Sequence, residues 1–118
     1  GSEPEIAMPY NVGYEVDAEN QQVSYYYRDD AAFVDGKLKN MNVSVDVNGT
    51  EHPMTYNDTT KRFEYVESGL KDGKTHYRYK ANGKYVVDAF NSNKEEYNNA
   101  DYSYFEYYKL HAKVTAEV

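Results

Sequence analysis

The feature that most restricts how this chain folds is a hairpin pattern in residues 70–90. Polar and aromatic side chains alternate over residues 75–80, and this period of two is typical of a half-buried β-strand. An Asn-Gly pair follows at residues 82–83 and favours a type I′ turn, because both central residues of that turn need positive φ. Residues 85–87 form the predicted return strand. The pattern therefore predicts an antiparallel hairpin with the tyrosines of its first strand on one face and the basic residues on the other.

Short predicted strands separated by turn residues continue along the rest of the chain. They occupy residues 14–16, 23–28, 42–48, 50–56, 62–66, 102–109 and 110–116. Residues 91–101, rich in Asn, Lys and Glu, have no periodicity and are predicted to form a loop. Pro53 has no N–H to donate, so its strand is expected at a sheet edge or interrupted there. Seven to nine strands at this spacing predict an all-β, antiparallel β-sandwich.

Two of these strands have clear faces. In residues 42–48 the three valines are expected to point into the core, with Ser44 and Asp46 pointing outward. In residues 23–28, Val23, Tyr25 and Tyr27 share one face.

Length and charge restrict the class of protein. At 118 residues the chain is long enough for one core, and a single domain is expected over residues 3–118, since residues 1–2 look like a cloning scar. The net charge of −7 opposes binding to phosphate backbones, so nucleic acid is not an expected partner. No apolar run approaches the ~20 residues that cross a membrane. We expect either a cytosolic chain or, preferably, a piece of a larger secreted protein.

The chain holds fifteen Tyr and no Trp. Most of the tyrosines are expected inside strands, where Tyr has high β propensity. About three to five are expected at the surface, where a flat apolar ring with a polar tip suits contacts with sugars or proteins.

Nothing in the sequence predicts catalysis. There is no cysteine, no nucleophile elbow and no Gly-rich phosphate loop. The three histidines lie on different predicted strands, so exposed strand histidines are favoured over a zinc site. Asp29, Asp30 and Asp35 offer carboxylates for calcium but lack EF-hand spacing, so solvated loop acids are favoured. We therefore expect a protein that is not an enzyme and needs no metal or cofactor.

Residues between 54 and 91 also form a pattern that carries a resemblance. They are Met54, Asn57, Phe63, Glu64, Tyr65, Leu70, Asp72, Gly73, Tyr77, Arg78, Tyr79, Asn82, Gly83, Tyr85, Asp88 and Asn91. In this order they resemble the second half of the early-set, immunoglobulin-like glucan-binding modules, such as the starch-binding modules of bacterial pullulanases and the N-terminal domains of branching enzymes. The resemblance implies an immunoglobulin-like sandwich with carbohydrate as its ligand, although fold alone does not fix function.

The resemblance also implies a binding site. In such modules an aromatic residue after the Asn-Gly turn stacks on a glucose ring, which corresponds to Tyr85 here. A basic residue of the preceding strand bonds sugar hydroxyls, which corresponds to Arg78, and Asn98 or Asn99 would add another bond. A pyranose offers an apolar face to a ring, while its hydroxyls need directional partners. The alternative for Tyr85 is a cross-strand pair with a tyrosine of the preceding strand.

One feature departs from these modules. They commonly place a second aromatic residue, often Trp, near residues 48–52, where this chain has none. His52, Tyr97 or Tyr102 would have to take its place as a second platform for the sugar.

These observations predict a non-catalytic carbohydrate-binding module of a secreted or cell-surface bacterial protein that degrades polysaccharides. Its preferred ligand would be an α-glucan such as starch. The alternative is a structural immunoglobulin-like spacer that packs against neighbouring domains of a larger protein, or a protein-interaction module, for which many tyrosines are equally suitable.

Overall fold

The computed structural model describes residues 11–29, 33–34, 37–38 and 41–109. Its strands are β1 (Gly13–Asp17), β2 (Gln22–Tyr27), β3 (Phe33–Val34), β4 (Lys37–Leu38), β5 (Val43–Val47), β6 (Thr50–Pro53), β7 (Thr55–Asn57), β8 (Arg62–Ser68), β9 (Gly73–Ala81), β10 (Lys84–Val86), β11 (Lys94–Tyr97) and β12 (Ala100–Tyr107). In the part of the chain that is described, no helix is long and apolar enough to span a membrane.

The strands form two main sheets, and neighbouring strands run antiparallel. The four-stranded sheet has the order β1-β2-β8-β7. The six-stranded sheet has the order β11-β12-β9-β5-β6, and the short β10 also pairs with β9. A separate two-stranded ladder joins β3 to β4. The prediction of an all-β antiparallel sandwich is confirmed.

The core lies between the two sheets because each contributes one face of alternating apolar residues. From the four-stranded sheet come Val23, Tyr25 and Phe63, and from the six-stranded sheet come Val43, Val45, Val47, Tyr77, Tyr79 and Phe105. Aromatic rings meet across the layers: the Tyr25 and Tyr77 centroids are 5.2 Å apart. The faces predicted for residues 23–28 and 42–48 are confirmed.

The central hairpin forms as predicted. Asn82 and Gly83 both have positive φ, at 51° and 83°, which is the geometry of a type I′ turn. Tyr85 lies opposite Lys80 in the β9–β10 ladder. Tyr77 and Tyr79, at 0% and 2% exposure, face the core.

Pro53 marks a change of sheet. β6 is an edge strand of the six-stranded sheet and ends at this proline, and β7 begins at Thr55 in the four-stranded sheet. Between them the Met54 N–H donates to the Val43 carbonyl at 3.0 Å. Both halves of the prediction for this strand, an edge and an interruption, are confirmed.

The loop predicted for residues 91–101 is wrong. β11 spans the middle of this segment, pairs with β12, and is followed by a turn at Asn98 and Asn99, whose φ values are 53° and 62°. Charged residues on an edge strand give no apolar alternation, so the periodicity that indicates a buried strand is missing there. The closing strand predicted for residues 110–116 lies outside the described residues.

Candidate functional site

The outward face of the six-stranded sheet carries most of the predicted site. Because Tyr77 and Tyr79 point into the core, the alternate residues of β9 point to the other side. The ladders then place Asp46 of β5 opposite Arg78, and Tyr85 of β10 opposite Lys80. The result is a polar face with an aromatic ring at one side.

Tyr85 and Arg78 are in direct contact. The Arg78 guanidinium carbon lies 3.6 Å from the centroid of the Tyr85 ring, a cation–π arrangement. The Lys80 ammonium lies 5.3 Å from the same centroid. The Tyr85 side chain remains 45% exposed, so part of the ring is open to a ligand. The alternative pairing of Tyr85 with Tyr77 or Tyr79 is wrong, because those two rings face the core.

A buried carboxylate anchors Arg78 from below. Asp46 is only 6% exposed, and its Oδ2 accepts a bond from Arg78 Nε at 3.0 Å. The same oxygen accepts the Tyr102 hydroxyl at 2.6 Å, and Oδ1 accepts the Gly49 N–H at 2.9 Å. Arg78 is therefore held in place by an ion pair on one side and the Tyr85 ring on the other.

Tyr102 belongs to this support and not to the surface. Its ring is 2% exposed, and the Arg78 guanidinium carbon lies 4.5 Å from its centroid. Burial, together with the bond to Asp46, raises the pKa of Tyr102 to about 12. The expectation that Tyr102 serves as an exposed platform is wrong, because a covered ring has no free face to stack on a sugar.

An open groove runs beside Tyr85. It has a volume of about 760 Å³ and is lined by Arg78, Tyr85, Val86, Val87, Lys94, Glu95, Glu96 and Asp101. It exists because β12 pairs with β9 only over residues 73–77, whereas β10 pairs with β9 over residues 79–81. The groove therefore combines a partly exposed ring, two apolar side chains and charged groups that can bond hydroxyls.

Tyr97 lies beyond the groove, on a cluster built around His76. The two rings stack with centroids 4.2 Å apart and an interplanar angle of 8°. His76 Nε2 and Glu95 Oε2 are 2.6 Å apart, and Lys74 Nζ donates to the same carboxylate. These bonds from His76 and Lys74 lower the pKa of Glu95. Tyr97 is half-buried, with one face covered by His76, and stays a candidate platform.

Asn98 and Asn99 are exposed at the β11–β12 turn. The Asn98 amide nitrogen lies 3.4 Å from the position that a Cβ on Gly49 would take, so this turn is close to the Asn48–Gly49 turn. Neither asparagine is among the residues that line the groove. The structure thus places them at one end of the polar face and apart from Tyr85.

His52 does not join the site. It lies opposite Val45 in the β5–β6 ladder and therefore points to the side of the sheet that faces the core. Its ring stacks on Tyr65 at 4.6 Å and its Nε2 lies 3.4 Å from Glu67. The expectation that His52 replaces the missing platform is wrong, because its ring packs against β8 of the other sheet and not on the face that carries Tyr85.

The sequence prediction missed two acidic residues of the site, Asp46 and Glu95. The alternation of residues 42–48 puts Asp46 on the outward face, but its position opposite Arg78 follows only from the β5–β9 register. Glu95 lies in the segment that the sequence predicts to be a loop. Among the described residues, no group of His, Asp or Glu is arranged to hold a metal ion. The calcium candidates Asp30 and Asp35 lie outside the described residues.

Comparison with known proteins bears on the fold. No protein family matches the sequence, and no curated protein does. Among solved structures, the chain is similar to a crystal structure of a Salmonella typhimurium protein provisionally assigned as an alpha amylase, with a TM-score of 0.59 and 18% sequence identity. The match covers 81% of this chain and 15% of that chain. At this identity the likeness concerns the fold alone: the all-β fold of this chain is similar to that of a region of that longer protein.

Proposed function

We propose that this domain is a non-catalytic carbohydrate-binding module that holds an α-glucan such as starch. The single observation that carries the proposal is the Tyr85 ring, 45% exposed at the wall of an open groove and braced by Arg78 at 3.6 Å. A sugar would stack on the exposed part of the ring, and its hydroxyls would bond to the Arg78 guanidinium and the groove carboxylates.

Preorganisation supports the proposal. Arg78 is fixed by Asp46, and the Tyr85 ring packs against the Arg78 guanidinium, so less side-chain freedom remains to be lost on binding. The groove is open and is lined on one side by acidic side chains. Such an open surface suits a long polysaccharide, which can enter the groove from the side.

The likeness to part of an amylase-related chain and the glucan-binding resemblance of residues 54–91 point to the same ligand class. We place the domain within a secreted or cell-surface bacterial protein, where it would keep a neighbouring catalytic domain close to its polysaccharide. The domain itself would leave the glycan chemically unchanged.

Isothermal titration with maltoheptaose and soluble starch tests the proposal. Wild type should release or absorb heat on binding, and Tyr85→Ala should bind measurably more weakly. Tyr108→Ala is the matched control, because Tyr108 is also exposed, at 52%, but lies outside the groove lining. Absence of any heat with wild type and a panel of neutral glucans would reject this function.

A second function is supported by a different observation. Phe90 is 73% exposed, beside a cleft of about 250 Å³ lined by Tyr27, Val86 and Val87, among others. An apolar patch of this kind suits packing against a neighbouring domain, as a structural spacer would require. The spacer function would be favoured if the wild-type domain binds no glycan and if Phe90 becomes shielded from solvent when the domain is fused to its neighbouring domain.

A further inference from the structure

Asp46 holds a negative charge directly beneath the candidate sugar-binding surface. It is 6% exposed although it points to the outward side of the sheet, because Arg78 and Tyr102 cover it. A carboxylate in such a position is stable because all its partners are donors: a guanidinium, a hydroxyl and a backbone N–H. Asp46 thus offsets the charge of Arg78 at the point where Arg78 meets the Tyr85 ring.

The other charged side chains that line the groove are also mostly negative. Its lining holds two cations, Arg78 and Lys94, against three carboxylates, Glu95, Glu96 and Asp101. With Arg78 paired to Asp46, and Glu95 paired to Lys74 and His76, the remaining lining charges are Lys94 against Glu96 and Asp101, so the local potential is weakly negative. A negative groove repels an anionic ligand, while the short-range bonds to neutral hydroxyls are little affected.

We infer that Asp46 is a specificity-determining residue: by neutralising Arg78, it makes the groove accept uncharged polysaccharides and reject polyanionic ones such as polygalacturonate. The inference rests on the proposed function, because it concerns the same groove. Asp46 reaches the ligand only through Arg78, so its role is to position and neutralise that side chain.

The test is Asp46→Asn, which keeps the shape and an oxygen for the Gly49 N–H, removes the charge, and replaces the oxygen that accepts the Arg78 Nε–H with a donor. Wild type should bind polygalacturonate weakly or not at all. The variant should bind it about tenfold more tightly at low salt, which corresponds to ~1.4 kcal/mol. High salt should remove the gain, because the attraction between the polyanion and a guanidinium at the groove wall is screened. Affinity electrophoresis in gels with and without polygalacturonate measures both effects.

Two control variants separate this role from a change in net charge. Asp101→Asn alters the net charge of the groove lining by the same amount, but Asp101 is not part of the Asp46–Arg78 pair, so this variant should give a much smaller gain. The double variant Asp46→Asn with Arg78→Gln should lose the gain entirely. An equal gain in Asp101→Asn, or a gain that survives in the double variant, would overturn the inference.

The outcome for wild type separates the two proposals. Wild type that fails to bind starch rejects the proposed function, whereas wild type that binds polygalacturonate as tightly as starch rejects the role of Asp46. The second result needs no variant. If Asp46→Asn does not fold, as judged by circular dichroism, Asp46→Ser removes the same charge and is compared in the same gels.

Discussion

The guanidinium of Arg78 lies against the ring of Tyr85, with its central carbon 3.6 Å from the ring centroid. The contact joins neighbouring strands, since Arg78 is on β9 and Tyr85 is on β10. Arg78 is also bonded to the buried Asp46 of β5, so the Tyr85 ring packs against a guanidinium that is itself held in place. A ligand that stacks on Tyr85 therefore meets a surface that is already arranged before binding.

The first prediction concerns what Tyr85 contributes. Tyr85→Phe keeps the ring and should leave the affinity for maltoheptaose within about twofold. Tyr85→Ala removes the stacking area of a half-exposed ring and should weaken binding by ~1–2 kcal/mol. Isothermal titration of both variants checks this. Equal losses in the two variants would mean that the phenol hydroxyl, and not the ring face, makes the contact.

The second prediction concerns the shape of the Arg78 side chain. Arg78→Lys keeps the positive charge but loses the planar group that stacks on Tyr85 and bonds Asp46. We expect Arg78→Lys to weaken glucan binding nearly as much as Arg78→Gln, by ~1–2 kcal/mol, because directed hydrogen bonds and stacking carry the interaction. Titration of both variants at one salt concentration decides it: near-wild-type affinity for Arg78→Lys would show that charge alone suffices.

Much of the fold could be predicted because local signals agreed with the tertiary structure. The Asn-Gly pairs at residues 48–49 and 82–83 both form turns with positive φ, as turn chemistry alone requires. The valines of β5 are buried as their alternation predicts. The sequence pattern does not indicate β11, because it is a charged edge strand in which neither face is consistently apolar.

The site was less predictable than the fold because it depends on register and burial. Residue spacing placed Tyr85 and Arg78 on adjacent strands, and the structure brings them into contact. Spacing alone cannot distinguish the exposed Tyr85 from the buried Tyr102, since both rings lie on the outward side of the sheet. What covers Tyr102 is Arg78 above it, a contact between residues far apart in sequence. Likewise, only the β5–β6 register shows that His52 points toward the core side.

The third prediction concerns the β11–β12 turn. Asn99 has a φ of 62°, a conformation that asparagine tolerates and glycine adopts freely. Asn99→Ala should therefore lower the free energy of unfolding by ~1 kcal/mol, whereas Asn99→Gly should leave it unchanged or raise it slightly. Urea denaturation of the two variants tests the turn. A stable Asn99→Ala variant would contradict the left-handed conformation at this residue.

The fourth prediction concerns a buried carboxylate of the core. Asp88 is 2% exposed, and it accepts the Tyr77 hydroxyl at 2.6 Å and the Phe90 N–H at 2.9 Å. Asp88→Ala leaves both donors without this acceptor and should lower the free energy of unfolding by ~2–3 kcal/mol. Asp58→Ala is the control, because the Asp58 side chain is 85% exposed and its ion pair with Lys61 should contribute little. Thermal unfolding monitored by near-UV circular dichroism compares them, and equal losses would contradict the proposed cause.

The fifth prediction is a pH dependence that arises at Glu64. Burial acts to raise the pKa of this carboxyl, but hydrogen bonds from Arg62, Thr60 and Asn57 outweigh it, so the pKa lies below its ordinary value of 4.5. A carboxyl whose pKa is lowered by folding stabilises the fold above the unfolded pKa, and this stabilisation is lost as the pH falls through the folded pKa.

Wild type should therefore be more stable than Glu64→Gln at neutral pH, and the difference should shrink as the pH falls below 4.5. Subtracting the two curves removes the contribution of the other carboxyl groups, which titrate in both proteins. Urea denaturation at a series of pH values measures the difference. A difference that stays constant down to the acid limit of folding would show that Glu64 stabilises the β7–β8 hairpin by its shape and not by its charge, because only the charge responds to pH.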